Sequence, residues 1–350
     1  MSKKGIVEIQ FNWVLILAAG AIILLFFSVV IMKQKSISEV SISSIILKNL
    51  EGILSGAEVS IGTVNSVAIP KTKIEFECNR YRIGKVSKEF EVMSVFTPSI
   101  IESNKLITWT LDWSLPYRVT NLLYLSSPRI RYIFVVDSSC IASGATCFGK
   151  MVFNSTPVEV RKEIIESIGV SSITDRGDDQ VRIISFYDAL ATPSAPSLSI
   201  PLQNKKGVTA LNVIGDEDKG QVNFYSSTGT SFTSKGVSHY IREPALMGAI
   251  FADDVDVYNC VMEDAFKKLN IVTKIYQNKT VALKDYYNYS LFPPDNTCAT
   301  RHSEVFSILQ NIQAASQTFN LANINAIDFE ITKLEDKNEL AQLYSCALIY

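Results

Sequence analysis

Three apolar runs in this chain each lead into a carboxylate, and these acids are the residues with the clearest potential for chemistry. They are Asp137, Asp188 and Asp216. Short apolar runs are typical of buried strands, and α/β sheets bind ligands beyond the carboxyl ends of such strands. Because carboxylate oxygens are the ligands that Mg²⁺ and Ca²⁺ prefer, the pattern indicates a candidate metal site. The alternative is that the three acids are ordinary turn and helix-cap residues.

Residues 132–139 and 181–188 resemble strand segments of von Willebrand A-type adhesion domains. In that family the first of these strands ends in the metal motif Asp-x-Ser-x-Ser. Here Asp137 and Ser139 fit the motif, but Ile141 stands in the place of the last serine. The resemblance therefore covers only part of the family's metal motif.

Other short motifs have simpler interpretations. Residues 144–151, GATCFGKM, follow P-loop spacing, but Met151 replaces the hydroxyl residue that holds Mg²⁺. The residues after Met151 also do not read as the helix that a P-loop opens, so we expect a disulfide-closed glycine loop. The tripeptide RGD at 176–178 is expected to be a solvated turn. Three further acids are expected to be charges at the start of a helix: Asp253, Asp254 and Asp256.

The composition argues against several classes of function. The formal net charge is −2 and no basic stripe occurs, so no nucleic-acid partner is expected. The two histidines, His239 and His302, are isolated in sequence, which argues against a multi-histidine metal centre. No nucleophile elbow, dinucleotide glycine pattern or HExxH motif is present. We therefore expect no catalytic residue, no cofactor and no enzymatic activity.

Residues 11–32, FNWVLILAAGAIILLFFSVVIM, form a long apolar run without a charge. At 1.5 Å per residue, a helix of this length crosses the ~30 Å hydrocarbon core of a bilayer. We therefore predict a transmembrane helix over residues 6–35, with the lipid bilayer as its partner.

An amphipathic extension of this helix is predicted over residues 36–56. The apolar residues that recur at three- to four-residue spacing are Ile37, Val40, Leu47, Leu50 and Leu54. Gly52 and Gly56 mark its predicted end. The extension is expected to pack on its own domain, the alternative being contact with sister helices in an assembly.

The sequence KKGIVEIQF at residues 3–11 resembles an archaeal type IV prepilin-like (class III) signal. In that family a peptidase cuts after the glycine on the cytoplasmic side, and the apolar helix stays on the mature protein. The resemblance implies that residues 1–5 are a basic leader, that Gly5 is the last residue removed, and that Ile6 becomes the N-terminus. It also implies self-assembly through the helix. The family has Gln first and Glu fifth in the mature chain, where this chain has Ile6 and Gln10; the alternative is an uncleaved signal-anchor.

Six cysteines follow the apolar helix, and an even number in an anchored domain favours disulfides in an oxidising compartment. Cys140 and Cys147 are close enough in sequence to close a small loop. The other four are predicted to pair as Cys260–Cys298 and Cys78–Cys346, which is one of 15 connectivities. The alternative is six buried free thiols.

Three glycosylation sequons begin at Asn154, Asn278 and Asn288. Lysines flank the apolar helix on both sides, so charge alone barely sets its orientation. The cysteines and sequons favour a single-pass protein in the cell membrane, with its N-terminus in the cytoplasm and its large domain outside.

The fold class predicted for the domain is α+β. Residues 57–128 show period-two alternation and predict a β-rich subdomain with a largely antiparallel sheet. Residues 129–350 predict an α/β subdomain with some parallel strands, a helix over 157–168 and a polar loop over 226–236. Helices at the C-terminal end are predicted over residues 254–277, 303–319 and 334–343.

These expectations describe a membrane-anchored cell-surface protein with a structural or adhesive role, including that of a type IV pilin-like subunit. One alternative is a monomeric anchored module that binds a ligand. A less favoured alternative is a membrane-tethered enzyme with a carboxylate site.

Overall fold

The computed structural model describes residues 4–90, 93–141, 147–166, 173–177, 180–186, 200–203, 205, 207–229, 231–290 and 293–350. The fold is α+β, as predicted: a long N-terminal helix is followed by two six-stranded sheets and a set of helices at the C-terminal end.

Helix α1 runs without a break over Lys4–Val59, so the apolar run and its extension form one rod. The predicted end at Gly56 is early, since the helix continues to Val59. The face that packs on the domain is formed by Ile46, Leu47, Leu50, Leu54 and Ala57, all buried. The extension therefore packs on its own domain, as expected.

The first sheet has the strand order β3-β2-β1-β5-β6-β4. Its strands are β1 (Val64–Glu77), β2 (Arg80–Ile83), β3 (Val86–Glu89), β4 (Ser94–Phe96), β5 (Ile100–Ser114) and β6 (Arg118–Ser126). Only the short pair β4 and β6 is parallel among the described strands of this sheet. The prediction of a largely antiparallel sheet is confirmed.

The second sheet has the order β12-β11-β10-β9-β7-β8. Its strands are β7 (Ile130–Val136), β8 (Lys162–Glu166), β9 (Gln180–Ser185), β10 (Val208–Gly215), β11 (Lys219–Ser227) and β12 (Phe232–Ile241). Strands β8, β7, β9 and β10 are parallel, whereas β10, β11 and β12 are antiparallel. The predicted parallel strands in an α/β layer are confirmed.

Two predictions in this region are wrong. The helix predicted over 157–168 is replaced by strand β8, because its partly apolar Lys162–Glu166 segment pairs along β7. The polar loop predicted over 226–236 is instead a hairpin of β11 and β12 with a short turn. In both places pairing with a neighbouring strand overrides the local sequence preference.

Short helices connect the strands of the second sheet, and longer ones follow it. They are α2 (Ser138–Ile141), α3 (Phe148–Ser155), α4 (Ile200–Gln203), α5 (Glu243–Phe251), α6 (Val255–Asp285), α7 (Asn296–Ala315) and α8 (Leu321–Leu343). Asp254 caps α6 as predicted, accepting hydrogen bonds from two backbone N–H groups. Helices α7 and α8 begin earlier than predicted, at the caps Asp295 and Asn320.

Helix α5 lies between the two sheets and is buried on all sides. Every residue from Ala245 to Phe251 is buried. The helix approaches strand β4 so closely that a Cβ on Gly248 would lie 2.8 Å from ring atoms of Phe96. A helix that is apolar all round belongs in the centre of a core, and this one joins the two sheets in a single hydrophobic cluster.

The C-terminal end of α5 is capped by the guanidinium of Arg182, which projects from β9 and is buried. Arg182 donates hydrogen bonds to the carbonyl oxygens of Ala249 (3.0 Å), Ile250 (3.3 Å) and Ala252 (2.6 Å). The last carbonyls of a helix have no partner within it and carry partial negative charge. Burial lowers the pKa of Arg182 to about 10, so it stays protonated at neutral pH.

We expect Arg182→Met to lower the free energy of unfolding by about 3–5 kcal/mol, because it leaves several buried carbonyls without donors. Urea unfolding of the full chain in lipid nanodiscs measures the change. The matched control is Arg80→Met, which removes an exposed arginine whose pair with Glu77 lies at the surface, and it should change stability by less than about 0.5 kcal/mol. Equal stability losses in the two variants would contradict this role of Arg182.

Candidate functional site

The edge of the second sheet where its parallel strands end is the natural place for a ligand site. From β7 the chain goes first to β8 on one side and then to β9 on the other. The point where the strand order reverses, between β7 and β9, is where open α/β sheets bind ligands. Asp137 follows β7 and Asp216 follows β10, both at this edge.

Both described carboxylates shape local turns. Asp137 accepts a hydrogen bond from the backbone N–H of Ser139 at 2.9 Å. This contact, followed by the hydroxyls of Ser139 and Ser138, lowers the pKa of Asp137. Asp216 accepts from the N–H groups of Asp218 (3.0 Å) and Lys219 (3.1 Å) through Oδ1. These are ordinary turn contacts of aspartate.

The strand register separates Asp137 from Asp216. Val135 lies level with Ser185, which lies level with Asn212. Asp137 is therefore two residues past this level and Asp216 four, on strands that are two positions apart. At ~4.8 Å between strands and ~3.3 Å per residue, the two positions are on the order of 12 Å apart.

Each of the two carboxylates is held in its own turn, and the hypothesis that Asp137 and Asp216 share a cation stays a prediction. The third predicted ligand, Asp188, lies outside the described residues. In the part of the chain that the structure describes, no group of three or more His, Cys, Asp or Glu residues is arranged to hold a metal.

Close packing explains the glycine near the C-terminal end of the P-loop-like segment, Gly149. Helix α3 does begin at Phe148, contrary to the expectation that no helix follows the glycine loop. A Cβ on Gly149 would lie 2.7 Å from Val136 and 2.9 Å from Phe186. The glycine therefore allows α3 to pack closely on β7 and β9. Residues 142–146 lie outside the described part of the chain.

The sequence analysis did not single out one buried side-chain amide at this edge. Asn212 is fully buried, and neither of its side-chain polar atoms has a hydrogen-bond partner in the described part of the chain. The register places Ser185 and Asn223, both buried, on either side of it. The available signal was a single amide within an otherwise apolar run, since buried polar groups normally have partners.

His302 is buried in the helical part of the domain. Its ring stacks on Tyr287 at 5.5 Å between ring centroids, and neither ring nitrogen has a hydrogen-bond partner among the described residues. Burial, and then the charge of Lys279, lowers the pKa of His302. His239 on β12 is half-buried, and burial lowers its pKa as well. The two histidines lie in different elements, as their isolation in sequence suggests.

We expect the protein to lose stability on mild acidification through His302. Its pKa is lowered on folding, so its contribution is complete above the ordinary value of 6.5 and is lost as the pH falls through the folded-state pKa. Urea unfolding between about pH 7.5 and pH 5 should therefore show a shallower loss for His302→Phe, which keeps an aromatic ring on Tyr287. Parallel pH profiles for the variant and the parent would rule out this role.

All six cysteines form disulfides: Cys78–Cys260, Cys140–Cys147 and Cys298–Cys346. The predicted Cys140–Cys147 bond is confirmed, and the other two predicted pairs are wrong. Cys260 lies near the start of α6 and Cys298 lies past its end, so about 38 Å of helix separates them at 1.5 Å per residue. The order of the cysteines in the sequence does not show that a long helix lies between two of them and keeps them apart.

The sequon asparagines lie on helices. Asn154 is exposed near the end of α3, and Asn278 is exposed within α6. Asn288 is half-buried in the short π-helix Tyr286–Ser290 that follows α6. All three remain predicted acceptors. Of the RGD tripeptide, Arg176 pairs with Glu163 at 3.2 Å, and Asp178 lies outside the described residues.

The most distinctive functional feature is α1 itself. Gly5 and Ile6 lie in its first turn. Within the described residues, the segment Trp13–Gln34 is the one helical stretch long and apolar enough to cross a membrane, with a mean hydropathy of 3.1 and no buried residue in its most apolar window. No protein-family model, curated protein or solved structure matches the chain.

Proposed function

We propose that this chain is a single-pass membrane protein whose disulfide-bonded domain lies outside the cytoplasm and has a structural or adhesive role, as a type IV pilin-like subunit. The observation that carries the proposal is the bare apolar segment Trp13–Gln34 at the start of a continuous helix.

The exposed surface of this segment is too apolar to stay in water. Fifteen large apolar side chains between Trp13 and Met32 are each at least 37% exposed. At roughly 1.5–3 kcal/mol for each side chain moved out of water, their burial is worth on the order of 20–45 kcal/mol. This exceeds the ~5–15 kcal/mol that stabilises a typical domain. A bilayer, or sister helices within an assembly, would provide the apolar surroundings.

The continuity of α1 supports a stalked arrangement. Ile46 is the first buried residue among its described side chains, 12 residues after Gln34. At 1.5 Å per residue, Gln34 and Ile46 lie about 18 Å apart along the helix. A rigid rod with a globular head is the shape that the prepilin-like resemblance implies.

The three disulfides support placement of the domain in an oxidising compartment, because such bonds are rare in reducing cytoplasm. With the domain outside, the N-terminus lies in the cytoplasm, where the prepilin-type peptidase of the resembled family acts. Cleavage after Gly5 would then leave the apolar helix as the N-terminus of the mature protein.

A double substitution in the span tests membrane anchoring. Leu17→Arg with Leu24→Arg places two charges where each costs about 2.5–3.5 kcal/mol. We expect most of the variant to leave the carbonate-resistant membrane fraction, which immunoblotting of fractionated cells would show.

The matched control is Ile45→Arg with Val59→Arg, because these residues are 60% and 79% exposed on the same helix beyond the span. This control should stay with the membrane. Retention of the Leu17/Leu24 variant, or extraction of the parent protein by carbonate, would contradict anchoring by α1.

A further inference from the structure

A surface pocket of about 240 Å³ lies between the β10–β11 turn, strand β12 and the first turns of α8. The residues that give it its chemistry are Asp216, Lys219, Gln221, His239, Leu321 and Asn325. They come from three separate stretches of chain, so no local sequence motif reveals them.

The turn on one side of the pocket is held rigidly. Asp216 uses Oδ1 to accept two backbone hydrogen bonds within the turn, which leaves Oδ2 for a ligand. The hydroxyl of Tyr240 donates to the carbonyl oxygen of Asp216 at 2.6 Å. A Cβ on Gly220 would lie 2.4 Å from the carbonyl oxygen of Ile214 and 2.5 Å from the Tyr240 hydroxyl. Only glycine therefore fits there.

Two further polar groups, Lys219 and Gln221, are also positioned by neighbours. Lys219 donates to Asp328 at 2.8 Å, so its charge is balanced from within the protein. Gln221 donates through Nε2 to Asn223 at 2.8 Å, which directs its remaining amide oxygen to other partners. Groups that are fixed before binding lose little conformational entropy when a ligand arrives.

The charged and polar side chains that line the pocket determine which class of ligand it can bind. With Lys219 paired to Asp328, the remaining charge is the carboxylate of Asp216, which disfavours anions. Burial lowers the pKa of His239, so at neutral pH its ring offers one donor and one acceptor. The amide of Asn325 adds donors and an acceptor, and Leu321, which is 47% exposed, adds an apolar wall.

We propose that this pocket binds a neutral polyhydroxylated ligand the size of one sugar ring. Hydroxyl groups can donate to Asp216 and Gln221 and can both donate to and accept from His239 and Asn325, while the carbon face of the ring lies on Leu321. The volume equals that of about eight water molecules at ~30 Å³ each, which is below the ~300 Å³ of drug-sized sites. This site is independent of how α1 assembles or which way it faces.

The test is saturation-transfer NMR on the full chain in lipid nanodiscs, which avoids sugar-based detergents. The probes are the methyl glycosides of glucose, galactose, mannose and N-acetylglucosamine. A ligand of this size in an open pocket should bind with a Kd on the order of millimolar. We expect at least one probe to bind, and Asn325→Ala to weaken its binding at least fivefold.

The matched control is Gln342→Ala, which removes an exposed amide from the same helix far from the pocket, and it should leave the Kd unchanged. Because Asn325 is exposed, its truncation is not expected to unfold the protein, and far-ultraviolet circular dichroism confirms that. Absence of signal from every probe at tens of millimolar would overturn the proposal. So would binding that persists unchanged in both Asn325→Ala and Gln221→Ala.

Discussion

The rest of this structure depends on the unfavourable free energy of exposing the apolar segment Trp13–Gln34 to water. The segment has no buried residue in its most apolar window, so it must find apolar surroundings outside its own domain. We call the domain that follows α1 the head. Because α1 continues unbroken to Val59, the surroundings that hold its first half also fix the position of the head. Its second half packs on the domain through Leu47, Leu50 and Leu54, which ties anchor and head into one body.

The head gains its rigidity from a core that both sheets share. Helix α5 lies between them, and the carbonyls at its C-terminal end accept hydrogen bonds from Arg182, a residue of the second sheet. Long-range disulfides act in the same direction: Cys78–Cys260 joins the first sheet to α6 across 182 residues of sequence. These contacts tie the two sheets and α6 together, which is consistent with the structural or adhesive role proposed above.

The sequence predicts those elements whose apolar pattern is local. Helix α1 and strands β5, β7 and β10 follow from run length or alternation. Helix α5 does not, because it is apolar all round and shows no period. The edge strand β8 and the β11–β12 hairpin depend on their neighbours. The site residues are harder still to predict: Asp137 and Asp216 each hold a local turn, and His239 and Asn325 join Asp216 and Gln221 from distant parts of the sequence.

The mass of the N-terminal peptide, taken from protein extracted from native membranes, shows whether the chain is processed like a type IV prepilin. We expect a chain that begins at Ile6, with residues 1–5 removed on the cytoplasmic side and the apolar helix at the mature N-terminus. A chain that begins at Met1 or Ser2 would contradict the pilin-like assignment, and α1 would then be a plain signal-anchor.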